Sequence, residues 1–273
     1  MQPEKQSAIS PCGKKTFVFS YFCPLHGGAF PTLIAMITMF FAGASLIAGQ
    51  LIAALLLTAV LVFGILMTFF ASRLLSSTVL KGVPSSFTLE LPPYRIPRIG
   101  QVLVRSILDR TLFVLGRAVV VAIPAGLIIW VMANVTIGDM SILSHCTQFF
   151  DPFARLLGLD GVILMAFILG FPANEIVLPI IIMAYLSTGQ LVEMENLDSL
   201  RVLLVENGWT MQTAVCTMLF SLMHWPCSTT CLTIYRESRS LRWTVLAILL
   251  PTAIGMAICF FITSCTNLIG LLL

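Results

Sequence analysis

The sequence predicts an all-α integral membrane protein, a polytopic helical bundle containing broken or re-entrant helices. Three observations carry that prediction. Of 273 residues, 58% are apolar and only 10% charged, a balance outside that of soluble domains. The stretches 16–72, 207–235 and 243–273 contain no Asp, Glu, Lys or Arg, and each exceeds the roughly 20 residues a helix needs to cross a bilayer. Finally, the apolar stretch 161–187 is interrupted by Pro172 and Pro179, and Glu175 is its only acidic residue.

Taken in order, the candidate spans are 31–50, 51–73, 112–134, 161–187, 213–235 and 243–264. The first two nearly abut, so a tight hairpin is expected around Gly49 and Gln50. Between the second and third spans, residues 73–117 carry seven Lys and Arg against Glu90 and Asp109. The positive-inside rule makes this loop cytoplasmic. Within it, apolar positions 99, 102, 103 and 107, with Arg105 and Arg110 off that stripe, predict an interfacial amphipathic helix. Residues 1–20 do not read as a signal peptide, since Lys14 and Lys15 precede no short apolar core with a small-residue cleavage site. The resulting division is an N-terminal segment 1–29, a transmembrane hairpin 30–75, a basic linker 76–111 and a transmembrane domain 112–273.

Charge counting also bears on topology. With residues 136–160 outside, a full crossing by 161–187 would place the acidic loop 188–212 inside and Arg236, Arg239 and Arg242 outside, both against the rule. If 161–187 dips in and returns, both fall on the favoured sides. A partial dip by 213–235 repairs the same count. The expectation is about five full spans and one re-entrant segment.

A carboxylate at membrane depth costs about 2.5–3.5 kcal/mol on insertion scales, so Glu175 is expected to face an ion, a partner or water. The helix breaks are placed at Gly170, Pro172, Pro179 and Pro226, where backbone donors are lost or turns loosened. Around Pro226 stand His224, Cys227, Ser228 and Cys231, so two interrupted spans carry polar groups at mid-depth, the pattern of a substrate site in transporters. Imidazole, thiol and carboxylate together suit a borderline divalent metal such as Fe(II), Mn(II) or Zn(II). Glu175 supplies charge, Asn174 a neutral oxygen, His224 a ring nitrogen and Cys227 a thiol. Plainer roles compete: Glu175 paired with an Arg or capping a broken helix, His224 capping carbonyls freed by Pro226, and Cys227 as a packing residue. Cys216, Cys231, Cys259 and Cys265 read as core thiols, not as a disulfide framework. Tyr185, Trp209, Trp225 and Trp243 read as interface-belt or packing residues.

Enzyme signatures are missing from the sequence. Gly-Lys-Lys-Thr at 13–16 lacks phosphate-loop spacing, and neither His-Glu-x-x-His nor Gly-x-Ser-x-Gly occurs. No catalysis, tightly bound cofactor or nucleic-acid partner is expected; the bilayer is the obligatory environment.

Three motifs then acquire a common meaning. Gly-Phe-Pro-Ala-Asn-Glu-Ile-Val at 170–177, Leu-Glu-Leu-Pro-Pro-Tyr-Arg at 89–95 and His-Trp-Pro-Cys at 224–227 resemble, in their residues and in their order along the chain, the C-terminal membrane portion of the bacterial ferrous iron transporter B family. The resemblance covers roughly residues 30–265. It implies gate (nucleoside-recognition-like) modules of broken helices and Fe(II) transport across the bacterial cytoplasmic membrane. It also implies a pathway through Asn174, Glu175, His224, Cys227 and Ser228, with Glu175, His224 and Cys227 as transient Fe(II) ligands. The chain departs from the family pattern in three ways. It has no GTP-binding phosphate loop or Asn-Lys-x-Asp motif, so GTP binding is not expected. The first gate's Gly-Phe-Gly-Cys-Asn-Val-Pro pattern is not found, and Ala173 occupies the position related to that gate's cysteine. Residues 23–29 also differ from the Pro-Cys-Asn-Gly-Arg-like run expected before residue 30. Expected partners are therefore a separate chain bearing the GTP-binding domain and first gate, or further copies of this chain. The alternative functions are a non-conducting subunit of a split transporter and a gate-type carrier of a nucleoside-like solute.

Overall fold

The computed structural model describes residues 30–41, 46–78, 100, 104, 113–191, 194 and 196–272. The 89–95 motif and most of the expected amphipathic helix at 99–109 lie outside these residues, as does the N-terminal segment up to residue 29. The described chain is helical, apart from a two-residue β-hairpin.

Helices α1 (Phe30–Phe41) and α2 (Leu46–Thr78) pack together as a hairpin. The expected turn at Gly49 and Gln50 is corrected, because both residues lie inside α2. Backbone groups in hydrocarbon have no water to bond, so a helix persists through residues that would end it in solution. Next come α3 (Phe113–Asn134), β1 (Thr136–Ile137) paired antiparallel with β2 (Met140–Ser141), and α4 (Ile142–Leu156). Gly138, in the left-handed region at φ +69°, makes the turn between the strands.

Helix α4 carries Phe149, Phe153 and Leu156 exposed along one side, a face suited to the membrane interface. The chain then bends by 109° into α5 (Gly161–Leu169). Gly158, at φ +70°, sits in that bend, where a Cβ would come within 2.9 Å of Cys216 Sγ. After α5 come a 3-10 turn, Asn174–Ile176, and α6 (Val177–Leu186). Ser187, at φ 52°, ends α6. The acidic loop holds α7 (Leu197–Glu206), capped by Asn196. The chain closes with α8 (Met211–Met223), α9 (Ser228–Ser238) and α10 (Leu241–Leu272).

Among the described residues, two continuous helices are long and apolar enough to cross a membrane, Gly49–Leu74 and Leu241–Ile269. Among the described residues, 32–41, 118–134 and 174–186 are shorter apolar helical stretches, and 142–156 with 161–169 is a bent pair.

The two interrupted segments differ in course. Asp160 caps the start of α5, accepting the Ile163 amide at 2.6 Å, and Tyr185 near the end of α6 donates its hydroxyl to the same carboxylate. The segment therefore ends beside the place where it began, as the expected re-entrant course requires. By contrast, α8 runs antiparallel to α10. Cys216 meets Cys259 and Thr263, one turn and more from where Met223 faces Gly255. Helix α9 continues along α10, so α8 and α9 together follow α10 with an interruption at the middle, the course expected of a crossing segment.

Candidate functional site

The site forms where the hairpin tip touches the break in the crossing segment. At the tip, Gly170 closes α5, with no room for a side chain: a Cβ would lie 2.5 Å from Val177 Cγ2 and 2.9 Å from Ala166 O. Pro172 lies in the irregular stretch that follows, and the Ala173 amide returns to Gly170 O at 3.0 Å. Pro179, expected at a break, is instead in the first turn of α6. The leading amides of a helix have no acceptor within it, so proline there costs little.

On the other side, α8 stops at His224, and Pro226 lies between it and α9. Two bonds join the breaks: the Ser228 amide donates to Phe171 O at 2.8 Å, and the Ser228 hydroxyl to Pro172 O at 3.4 Å. Irregular backbone at membrane depth is tolerated where protein satisfies it in this way. Aromatic packing completes the junction. Phe167 on α5 meets Phe220 and His224, both with ring centroids 4.9 Å apart.

His224 is buried. Its Nδ1 lies 2.8 Å from Ser221 O; a carbonyl only accepts, so Nδ1 carries a proton and the neutral ring presents a lone pair at Nε2. That Nε2 is buried with no hydrogen-bond partner, as are Asn174 Oδ1 and Trp225 Nε1. Orphaned polar atoms of this kind are uncommon and call for a ligand or a role. Cys227 precedes α9, and its Sγ lies 3.1 Å from both the Thr229 and Thr230 hydroxyls. Glu175 is exposed on the 3-10 turn and, among the described residues, forms no ion pair. Cys231 is buried, its thiol near Pro226 O.

Thus the fold brings Asn174, His224, Cys227 and Ser228 to one junction and leaves Glu175 at its open edge. Among the described residues, no three His, Cys, Asp or Glu side chains converge as a closed metal cage.

Residues that sequence reasoning read as belt or loop hold the hairpin mouth. Trp209 donates its indole N–H to the Tyr185 hydroxyl at 2.8 Å, extending the Asp160–Tyr185 contact to the start of α8. Asp151 accepts the Gly161 amide at 3.1 Å and pairs with Arg155 at 2.6 Å. Burial raises the Asp160 carboxyl above its ordinary value, against the lowering effect of its hydrogen bonds. A cleft of about 460 Å³ opens beside this mouth, lined among others by Asp139, Ser144, Thr147, Gln148 and Met183. The one sequence signal for the clasp is Asp160 immediately before an apolar run, a helix-start pattern.

Comparison with known proteins places this geometry in context. The family model described as "Ferrous iron transport protein B C terminus" matches residues 57–109, and the one described as "Nucleoside recognition" (Gate) matches residues 115–241. The chain is similar to the Fe(2+) transporter FeoB of Staphylococcus aureus (strain MSSA476), 30% identical over 210 residues, covering 73% of this chain and 30% of that protein. It is also similar to Fe(2+) transporter FeoB of Synechocystis sp., 28% identical over 169 residues (60% of this chain, 26% of that protein). The protein of the same name from Leptospira interrogans is 22% identical over 258 residues, 85% of this chain and 36% of that protein. The chain spans about a third of the length of these curated relatives. No solved structure matches it.

Proposed function

We propose a role in ferrous iron permeation for this chain, which belongs, through its C-terminal and gate regions, to the ferrous iron transport protein B family. The reading is that Fe(II) passes the bacterial cytoplasmic membrane through the junction of the two broken segments. Asn174, Glu175, His224, Cys227 and Ser228 line the way. The observation that carries it is the buried, unpartnered His224 Nε2 at the point where the breaks meet.

The chemistry follows from the donor set. An imidazole nitrogen and a thiol suit a borderline cation, and an amide oxygen and a carboxylate offset its charge. A conduit needs ligands that let the ion leave, so an open set fits transport better than a closed cage would. Glu175, at the solvent-facing edge of the tip, would draw the cation toward His224. No GTP hydrolysis is assigned to these residues. In this arrangement the acidic mouth with Asp139, Asp151 and Asp160 faces outward, and the loop 73–117 with the Arg236–Arg242 turn faces the cytoplasm.

Anaerobic Fe(II) flux into proteoliposomes holding this chain, beside His224→Gln, tests the reading. The substitution is expected to lower flux about tenfold, the equivalent of one lost ligand of about 1.4 kcal/mol. Flux unchanged by His224→Gln would sink it. Flux absent from correctly inserted chain, with a GTP-binding membrane protein co-purifying, would favour the partner-subunit role.

A further inference from the structure

Several threonines in the helices share one habit, and others find a different partner, as Thr147 does in Ser144 O and Thr263 in Cys216 Sγ. Thr38, Thr68, Thr233, Thr252 and Thr266 each donate the hydroxyl to the carbonyl four residues earlier, at 2.6–3.0 Å. That back-bond hides the hydroxyl within its own helix. Thr217, in the middle of α8, does not make it. Its Oγ1 has no hydrogen-bond partner among the described residues, and the residue has no exposed surface at all. A buried hydroxyl left this way costs stability unless something binds it.

The position of Thr217 says what that something is. Residues 217, 221 and 224 fall on one side of α8 at helical spacing, and Thr217, Ser221 and His224 are all buried. The same side meets the re-entrant hairpin, through the contacts of Phe220 and His224 with Phe167. Helix α8 starts next to Trp209, which is bonded to Tyr185 at the hairpin mouth. Thr217 therefore lies between the mouth and His224, in a helix whose other buried side chains are mostly apolar.

We infer that Thr217 is a further pathway residue, whose hydroxyl oxygen meets a divalent cation on its way between the hairpin mouth and His224. A neutral oxygen suits this place. It replaces a water of the cation's hydration shell without holding the ion as a thiolate or carboxylate would. The inference rests on the reading of the junction as the ion's route, and it adds a contact about two helical turns from His224.

The test is an anaerobic Fe(II) titration of the purified full chain in nanodiscs, with thermal unfolding measured on the same samples. Thr217→Val keeps the shape and removes the hydroxyl; Thr217→Ser keeps the hydroxyl. The valine variant is expected to bind Fe(II) about fivefold more weakly, the size of one modest polar contact, with an unchanged or higher Tm. The serine variant should bind within about twofold of the unsubstituted chain. A valine variant that binds as tightly as the unsubstituted chain, while His224→Gln has lost binding, overturns the inference and leaves the junction reading standing. A valine variant that is weaker only because its Tm has dropped, with serine not rescuing it, assigns Thr217 a packing role and also overturns it. Binding unaffected by His224→Gln overturns the junction reading instead. No Fe(II) binding by the unsubstituted chain overturns both.

Discussion

The two broken segments solve the same problem in opposite ways. Residues 161–187 turn back: the described side chains of α5 and α6 are mostly buried, while the irregular tip between them is half-buried and leaves Glu175 exposed. Residues 211–238 run on in one direction, and their break is supported by one unbroken helix, α10, alongside. The returning segment is closed at its ends by side chains, Asp160, Tyr185 and Trp209. The crossing segment is held along its length by close packing, as where Gly255 faces Met223. Each break also supplies what the other lacks. Phe171 and Pro172 offer carbonyls and Ser228 offers an amide and a hydroxyl. A break in a membrane helix thus needs a second break as its partner more than it needs a particular local sequence.

Substitutions that treat the two segments differently can break this comparison. The largest effect is expected at Gly161, where an added Cβ would lie 2.0 Å from the Thr147 carbonyl oxygen and 3.1 Å from Asp151 Cα. Backbone cannot step aside as a side-chain end can, so Gly161→Ala should cost about 3 kcal/mol. At Gly255 the nearest atom is Met223 Cβ, at 2.9 Å, and Gly255→Ala should cost about 1–2 kcal/mol. Thermal unfolding in detergent that ranks them the other way would show the crossing segment to be the tighter one.

A smaller effect is expected from Tyr185→Phe, which deprives both Asp160 and the Trp209 indole of a partner. The loss should be about 1–2 kcal/mol. Thr266→Val, which removes a hydroxyl bonded only within α10, is the control. If the two variants unfold at the same temperature, the clasp does not close the hairpin.

The smallest effect concerns pH. The Asp160 carboxyl is raised in the folded protein from an ordinary value of 3.8. Its favourable contribution is therefore complete below that value and fades as pH rises through the folded one. Asp160→Asn can still accept the Ile163 amide but does not ionise. Relative to that variant, the native chain should lose stability as pH rises above about 4. A Tm difference that grows in the opposite direction would show that Asp160 is stabilised as the carboxylate.

Much of this was legible in the sequence, for reasons that differ by residue. Gly170, Pro172 and Pro226 marked irregular backbone because they change hydrogen bonding wherever they occur. Charge counting led to the expectation that 161–187 turns back, and the hairpin that joins Asp160 to Tyr185 has the course it requires. Gly49, Gln50 and Pro179 misled because their usual effect depends on water and on position within a helix. Burial inside a bilayer suppresses the first, and the first turn of α6 suppresses the second. The Asp160–Tyr185–Trp209 clasp joins residues 24 or more positions apart in the chain, and no local pattern encodes such a meeting. Thr217 was invisible for a related reason: nothing in its neighbours distinguishes a threonine that bonds its own helix from one that faces inward.

The re-entrant course of residues 161–187 has a consequence for how this part of the protein is made. A segment that ends on the side where it began never carries a polar loop through the bilayer. On a re-entrant course the carboxylate of Glu175, exposed at the tip of the hairpin, would arrive as part of a fold, without being threaded across behind a leading helix. The hairpin behaves in assembly as a stopper set into a finished neck, and the bundle around it can be completed before any charge has to enter.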